Sequence, residues 1–144
     1  MGTSYTSIYE LFLASIRDYN IDRLFAISLE SAEAYMKPFL IRGLVNFTNC
    51  KQNLENRDDA DQEFDATLTT IEKVILSNLM TVEWLTKEVN DVLQMRLHLQ
   101  DSDFRTYSEQ SNLKGKREHL DITREVIDKQ MVQYGYGNLD WSKL

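Results

Sequence analysis

The stretch Thr69–Leu85, TTIEKVILSNLMTVEWL, constrains the fold of this chain more than any other. Glu72 follows Thr69 by three residues, which is the spacing of a capping box, where each side chain bonds the other residue's backbone N–H. This pair predicts a helix that begins at Thr69 and continues to about Glu88. Six apolar residues then share one stripe, roughly 140° wide at about 100° per residue: Ile71, Val74, Ile75, Leu79, Val82 and Leu85.

The same helix carries a second apolar face, made by Leu76, Met80 and Trp84. A helix that is apolar nearly all round is buried on more than one side. Two coverings of this face stay open: a later helix of the same chain, or another subunit. We therefore treat Leu76, Met80 and Trp84 as candidate subunit-interface residues.

Composition bounds the class of protein. A chain of 144 residues favours one domain, and 42% hydrophobic with 27% charged residues is an ordinary soluble composition. The net charge of −7 gives no general attraction for nucleic acid or anionic membranes. Cys50, the one cysteine, cannot form an internal disulfide. We see no targeting segment and no apolar run of the ~20 residues that a membrane span needs.

The remaining pattern predicts an all-α fold: a small helical bundle of about four main helices, with a long C-terminal helix and an extended aromatic tail. One Pro and five Gly favour long helices over many turns. The other three helices are expected at Ser4–Tyr19, at about Leu29–Phe47 and at about Gln110–Tyr134, with a turn around Asn20–Ile27. Pro38 predicts a kink near Ala34–Lys37, or a helix that begins only at Pro38.

Asn49–Ala66 is predicted to be a solvated acidic loop, with Phe64 anchoring it to the core. The alternation of acids suggests a calcium loop, but Phe64 stands where that loop needs Gly, and Thr70 where it needs a bidentate Glu. The acidic residues of interest are Glu55, Asp58, Asp59, Asp61 and Glu63.

The predicted last helix has a narrow apolar stripe between charged flanks. Leu113, Leu120 and Ile127 are seven residues apart, as in a heptad seam, so they are further candidates for a subunit interface. We expect Gly135 and Gly137 to break this helix, which divides the chain into a helical domain, 1–134, and a docking tail, 135–144. Large apolar side chains suggest that this end docks on a partner, while folding back on its own bundle and disorder stay open as alternatives. These side chains are Tyr134, Tyr136, Leu139, Trp141 and Leu144.

The residue types needed for catalysis are present without a workable arrangement. His98 and His119 lack the HExxH spacing, Cys50 lacks a CxxC partner, and no glycine-rich phosphate loop occurs. The paired carboxylates lie in a polar loop where burial cannot raise a pKa. We expect no enzyme activity, no cofactor and no metal site.

The chain resembles head–tail connector (adaptor, or head-completion) proteins of tailed bacteriophages, especially phages of Gram-positive bacteria. The matching residues run from about Leu29 to Tyr136 and include the LxSAxAxMxxFLxxGLxxF character of the second predicted helix. Beyond it the pattern consists of Phe64, Leu68-Thr69, Glu72, Ile75-Leu76, Leu79-Met80, Val82-Glu83-Trp84-Leu85, Asp103-Phe104, Tyr107-Ser108, Leu113, Arg117, Tyr134 and Tyr136. Pro38 departs from the pattern, and residues 135–144 align least.

The resemblance implies a small helical protein that forms a ring, commonly of twelve copies, beneath the portal protein in the virion neck. Such a ring extends the conduit for double-stranded DNA, contacts no membrane and offers a surface to a neck or tail-terminator protein. The protein would be made in the cytoplasm of the bacterial host. The acidic loop would then face the lumen, and the C-terminal segment would reach the portal. The alternative is a soluble helical interaction or regulatory protein, possibly a dimer through the 113–134 helix.

Overall fold

The computed structural model describes residues 2–137. Most of these residues are helical, and the all-α prediction is confirmed. The helices are α1 Tyr5–Ser15, α2 Tyr19–Ile27, α3 Leu29–Leu44, α4 Thr70–Gln94, α5 Asp101–Gln110 and α6 Leu113–Gly137. Three two-residue strands accompany them: β1 Thr3–Ser4, β2 Arg57–Asp58 and β3 Glu63–Phe64.

Helix α4 is the central element of the bundle. Its predicted capping box is confirmed, because Glu72 Oε1 accepts from Thr69 N at 2.7 Å and Thr69 Oγ1 accepts from Glu72 N at 3.3 Å. The helix packs against α1, α3 and α6. Three neighbours on different sides explain why its sequence is apolar nearly all round.

The N-terminal part of the chain forms three helices where two were predicted. Residues 20–27 were predicted to be a turn, but they lie in α2, so that prediction was wrong. Asp18 caps α2 by accepting from Asn20 N at 2.8 Å. Ser28 ends α2 and caps α3, accepting from Ser31 N at 3.0 Å.

Helix α3 continues through Pro38, so the alternative in which a helix begins at Pro38 was wrong. The kink expected near residues 34–37 stays a prediction. Gly43 lies against α4, and a Cβ atom there would stand 3.2 Å from Leu79 Cβ and 3.3 Å from the Leu79 backbone carbon. The absence of a side chain at Gly43 thus allows the two helices to approach closely.

The acidic segment, predicted to be a solvated loop, contains a short hairpin, and we call residues 55–64 the acidic hairpin. β2 pairs antiparallel with β3, and β1 pairs with the other edge of β3, which gives the order β1-β3-β2. Phe64 is completely buried, as expected for the anchor of this segment. Thr3 ties the N-terminal strand to the start of α4, since its Oγ1 donates to Ala66 O at 3.0 Å and accepts from Leu68 N at 2.8 Å.

The C-terminal part differs from prediction in its boundaries. α4 extends beyond its predicted end at about Glu88 to Gln94, a 3-10 turn covers Met95–Leu97, and α5 is a helix that was not predicted. Arg96 stacks over the ring of buried Phe104 at 4.6 Å. Asn112, with φ of 55°, separates α5 from α6, so the last helix does not begin at residue 110. It continues through Gly135 to Gly137, and the break predicted at Gly135 was wrong.

Candidate functional site

The second apolar face of α4 is covered inside the single chain. Leu76 and Met80 are fully buried and Trp84 is 6% exposed. The indole Nε1 of Trp84 donates to Asp18 Oδ2 at 2.8 Å, which places the ring beside the cap of α2. Leu76, Met80 and Trp84 are therefore core residues, and their prediction as a subunit interface is corrected.

The predicted seam on the last helix is also directed inward. Leu120 is 8% exposed and Ile127 is 4% exposed, and both belong to the main core, while Leu113 is half-buried. The heptad spacing thus reports how α6 packs on its own bundle. This corrects the subunit-interface prediction for Leu120 and Ile127, and removes them as the seam of the alternative dimer.

Tyr134 fastens the C-terminal turns of α6 to the bundle. Its hydroxyl donates to Glu72 Oε2 at 2.5 Å and accepts from Lys51 N at 2.8 Å, while its ring packs edge-on against Phe47. Burial raises the pKa of the Tyr134 hydroxyl, and the hydrogen bond to Glu72 acts in the same direction. Because Tyr134 is buried and fully engaged, it is corrected from a docking residue to a structural one.

The other predicted docking residues divide between the described and undescribed parts of the chain. Tyr136 is 59% exposed near the end of α6. Leu139, Trp141 and Leu144 lie outside the described residues.

The acidic hairpin presents its five predicted carboxylates, those of Glu55, Asp58, Asp59, Asp61 and Glu63, at the exposed surface. Two of these side chains also hold the hairpin in shape. Asp58 Oδ1 accepts from Ala60 N at 2.9 Å and from Asp61 N at 3.0 Å, which orders the turn.

Asp59 connects this hairpin to α1. Its Oδ1 accepts from the Tyr5 hydroxyl at 2.6 Å and from Arg57 Nε at 3.1 Å. The hydrogen bond from Tyr5, followed by the bond and charge of Arg57, lowers the pKa of the Asp59 carboxyl. The carboxylates are thus displayed on an ordered support.

Residues 2–137 contain no group of three or more His, Cys, Asp or Glu that could hold a metal ion. Burial raises the pKa of the Cys50 thiol, which disfavours the nucleophilic thiolate. His98 and His119 are both exposed. Across the same range, no helix is long and apolar enough to cross a membrane.

Two exposed apolar surfaces were not predicted from the sequence. The first, which we call the α2–α3 corner, consists of Tyr19, Phe25, Ile27 and Leu29, between 37% and 76% exposed. The second, the outward face of α6, consists of Ile122, Val126, Val132 and Tyr136, between 41% and 60% exposed. The apolar residues at positions 122, 126, 132 and 136 could have indicated this face from the sequence. The more regular heptad spacing on the other side of α6 was interpreted as the interface instead.

Comparison with models of protein families, with curated proteins and with solved structures found no match to this chain.

Proposed function

We propose that this chain is a structural virion protein, a head–tail connector that forms a ring beneath the portal protein. In this role it catalyses no reaction and uses no cofactor. It extends the conduit through which double-stranded DNA passes, without sequence-specific binding, and it provides the docking surface for a neck or tail-terminator protein. It acts in the virion neck, after synthesis in the bacterial cytoplasm, with no membrane contact and commonly as twelve copies.

The observation that carries this proposal is where the family-like residues lie. The pattern consists of packing residues, and most of those on and before α4 are buried in the core: Phe64, Leu68, Ile75, Leu76, Leu79, Met80, Trp84 and Leu85. The resemblance therefore falls on residues that specify the fold, and this supports a shared architecture with the connectors.

The two exposed apolar surfaces support ring formation. The α2–α3 corner and the outward face of α6 belong to different elements, and central α4 packs on α6 and on α1 and α3. A head-to-tail ring needs two different patches that contact each other in successive subunits. In this proposal the corner of one subunit contacts the α6 face of the next.

The acidic hairpin supports a place along the DNA conduit. Its exposed carboxylates repel phosphate groups, and a channel that DNA must slide through benefits from a lining that does not retain it. Replacing Asp61 and Glu63, whose side chains are exposed, with Lys should slow DNA ejection or block tail joining. An unchanged yield of infectious phage would show that the hairpin does not line the lumen.

The experiment that tests the connector role first looks for a portal gene beside the gene of this chain, and then mixes the full chain with the purified portal protein. The full chain should bind purified portal and add a ring below it in electron micrographs. A chain ending at Gly137 should keep the circular dichroism and unfolding transition of the full chain but lose portal binding. If the full chain does not bind, the connector proposal fails; if the shortened chain binds equally well, residues 138–144 are not the docking segment.

A further inference from the structure

The outward face of α6 carries a charge pattern in addition to its apolar residues. Ile122 and Val132 are 60% and 58% exposed, and Glu125 and Lys129, both exposed, lie between them. At about 100° per residue these four side chains share a sector roughly 80° wide, on the side of α6 away from buried Ile127. No ion pair between Glu125 and Lys129 of the same chain occurs among the described residues.

We propose that a second copy of this chain docks on this face, with its α6 antiparallel to the first. In the register centred on position 127, Ile122 lies opposite Val132 of the second copy, and Glu125 lies opposite Lys129 of the second copy. Because a two-fold axis repeats each contact, the pair contains two apolar layers and two ion pairs. When two copies of α6 run antiparallel, each apolar residue of this face therefore lies opposite an apolar residue, and each charge lies opposite the other sign.

The charges select this arrangement over a parallel one. In a parallel, in-register pair, Glu125 would face Glu125 and Lys129 would face Lys129, and like charges directly opposite are destabilising. Reversal of one helix turns both repulsions into attractions. The shortness of the apolar row limits affinity, so we expect a dissociation constant of roughly 1–100 µM, typical of a weak or transient contact.

This pairing concerns the free chain and does not depend on the connector proposal. A two-fold contact closes on itself, so it produces a dimer and goes no further. If the chain also forms a ring, the dimer covers one of the two patches that the ring requires. Free subunits would then be kept from joining one another until another contact displaces the pair.

Charge reversal tests the pairing and its direction, using the full chain in sedimentation velocity at low salt. Glu125→Lys and Lys129→Glu should each weaken self-association about tenfold or more, because each creates two like-charged pairs. An equimolar mixture of the two variants should associate as the wild type does, since every opposed pair then combines Lys with Glu. The double variant should also recover self-association. Arg117→Glu, on the same helix about 60° outside the nearer edge of this sector, is the matched control and should leave the dimer unchanged.

The proposal is wrong if the wild-type chain stays monomeric at concentrations well above ~100 µM. It is also wrong if the single variants associate normally, or if the mixture of the two variants fails to associate. Assemblies that grow beyond dimers through this face would instead assign it to head-to-tail contact. Circular dichroism of each variant checks that these exposed substitutions leave the helical fold intact.

Discussion

Removal of the Tyr134 hydroxyl tests how α6 is held to the bundle. In Tyr134→Phe the ring stays, so its contact with Phe47, at 5.3 Å between centroids, is kept and no cavity forms. The lost atom donates to the buried carboxylate of Glu72 and accepts from Lys51 N. A hydrogen bond to a charged group contributes about 1.5–3 kcal/mol, and a buried group left without a partner adds to the cost. We expect the free energy of unfolding to fall by about 2–4 kcal/mol.

The measurement is urea unfolding followed by circular dichroism, with hydrogen exchange to locate the effect. A loss of this size is a large part of the ~5–15 kcal/mol that stabilises a typical domain. Exchange should rise most in the C-terminal turns of α6 and in residues 47–51. Tyr19→Phe is the matched control, because Tyr19 is 76% exposed, and it should change stability by less than ~0.5 kcal/mol.

A double-mutant cycle with Glu72→Gln makes this prediction refutable. Gln can still accept from Thr69 N, so the capping box survives while the charge is removed. Residues joined by a hydrogen bond show coupling energies of about 0.5–3 kcal/mol. If Tyr134→Phe costs less than about 0.5 kcal/mol, or if the two substitutions are strictly additive, then the hydroxyl–carboxylate contact does not hold α6 in place.

Two further predictions concern contacts that the N-terminal helices make with the rest of the chain. Trp84→Ala should destabilise the monomer by about 3–5 kcal/mol, because it empties a core position and removes the hydrogen bond to Asp18; an unfolding midpoint close to that of the wild type would contradict the core assignment. Tyr5→Phe should lower stability at neutral pH by about 1 kcal/mol through loss of the bond to Asp59. Because the folded pKa of Asp59 is depressed, its contribution is present above about pH 4 and is lost as the pH falls below that value. The difference between Tyr5→Phe and wild type in unfolding free energy should therefore shrink in acid, and a constant difference from pH 7 to pH 3 would argue against it.

Local signals in the sequence predicted the helices that have strong caps and long periodic patterns. Thr69 and Glu72 located the start of α4, since a capping box involves residues only three apart. Helix α2 was missed because it has only nine residues, so its apolar stripe of Ile21, Leu24 and Phe25 spans little more than one turn. Gly135 was read as a helix breaker, yet α6 continues through it, in the turn where Tyr134 bonds Lys51 and Glu72. The two hydrogen bonds of Tyr134 connect it to residues that are 62 and 83 positions away in the sequence. Helical periodicity carries no information about contacts at such separations.

The same limit explains why the candidate interface moved from α4 and the heptad side of α6 to the outward face of α6. Periodicity shows how much of a helix is apolar, but it does not show which partner covers the apolar surface. α4 has an excess of apolar residues because α1, α3 and α6 surround it in one chain. On α6 the stronger heptad, with Leu120 and Ile127, faces the core, while the weaker row, with Ile122 and Val132, stays in solvent. A central helix uses its extra apolar residues within the chain, so exposed apolar residues on a peripheral helix are the better guide to contacts between chains.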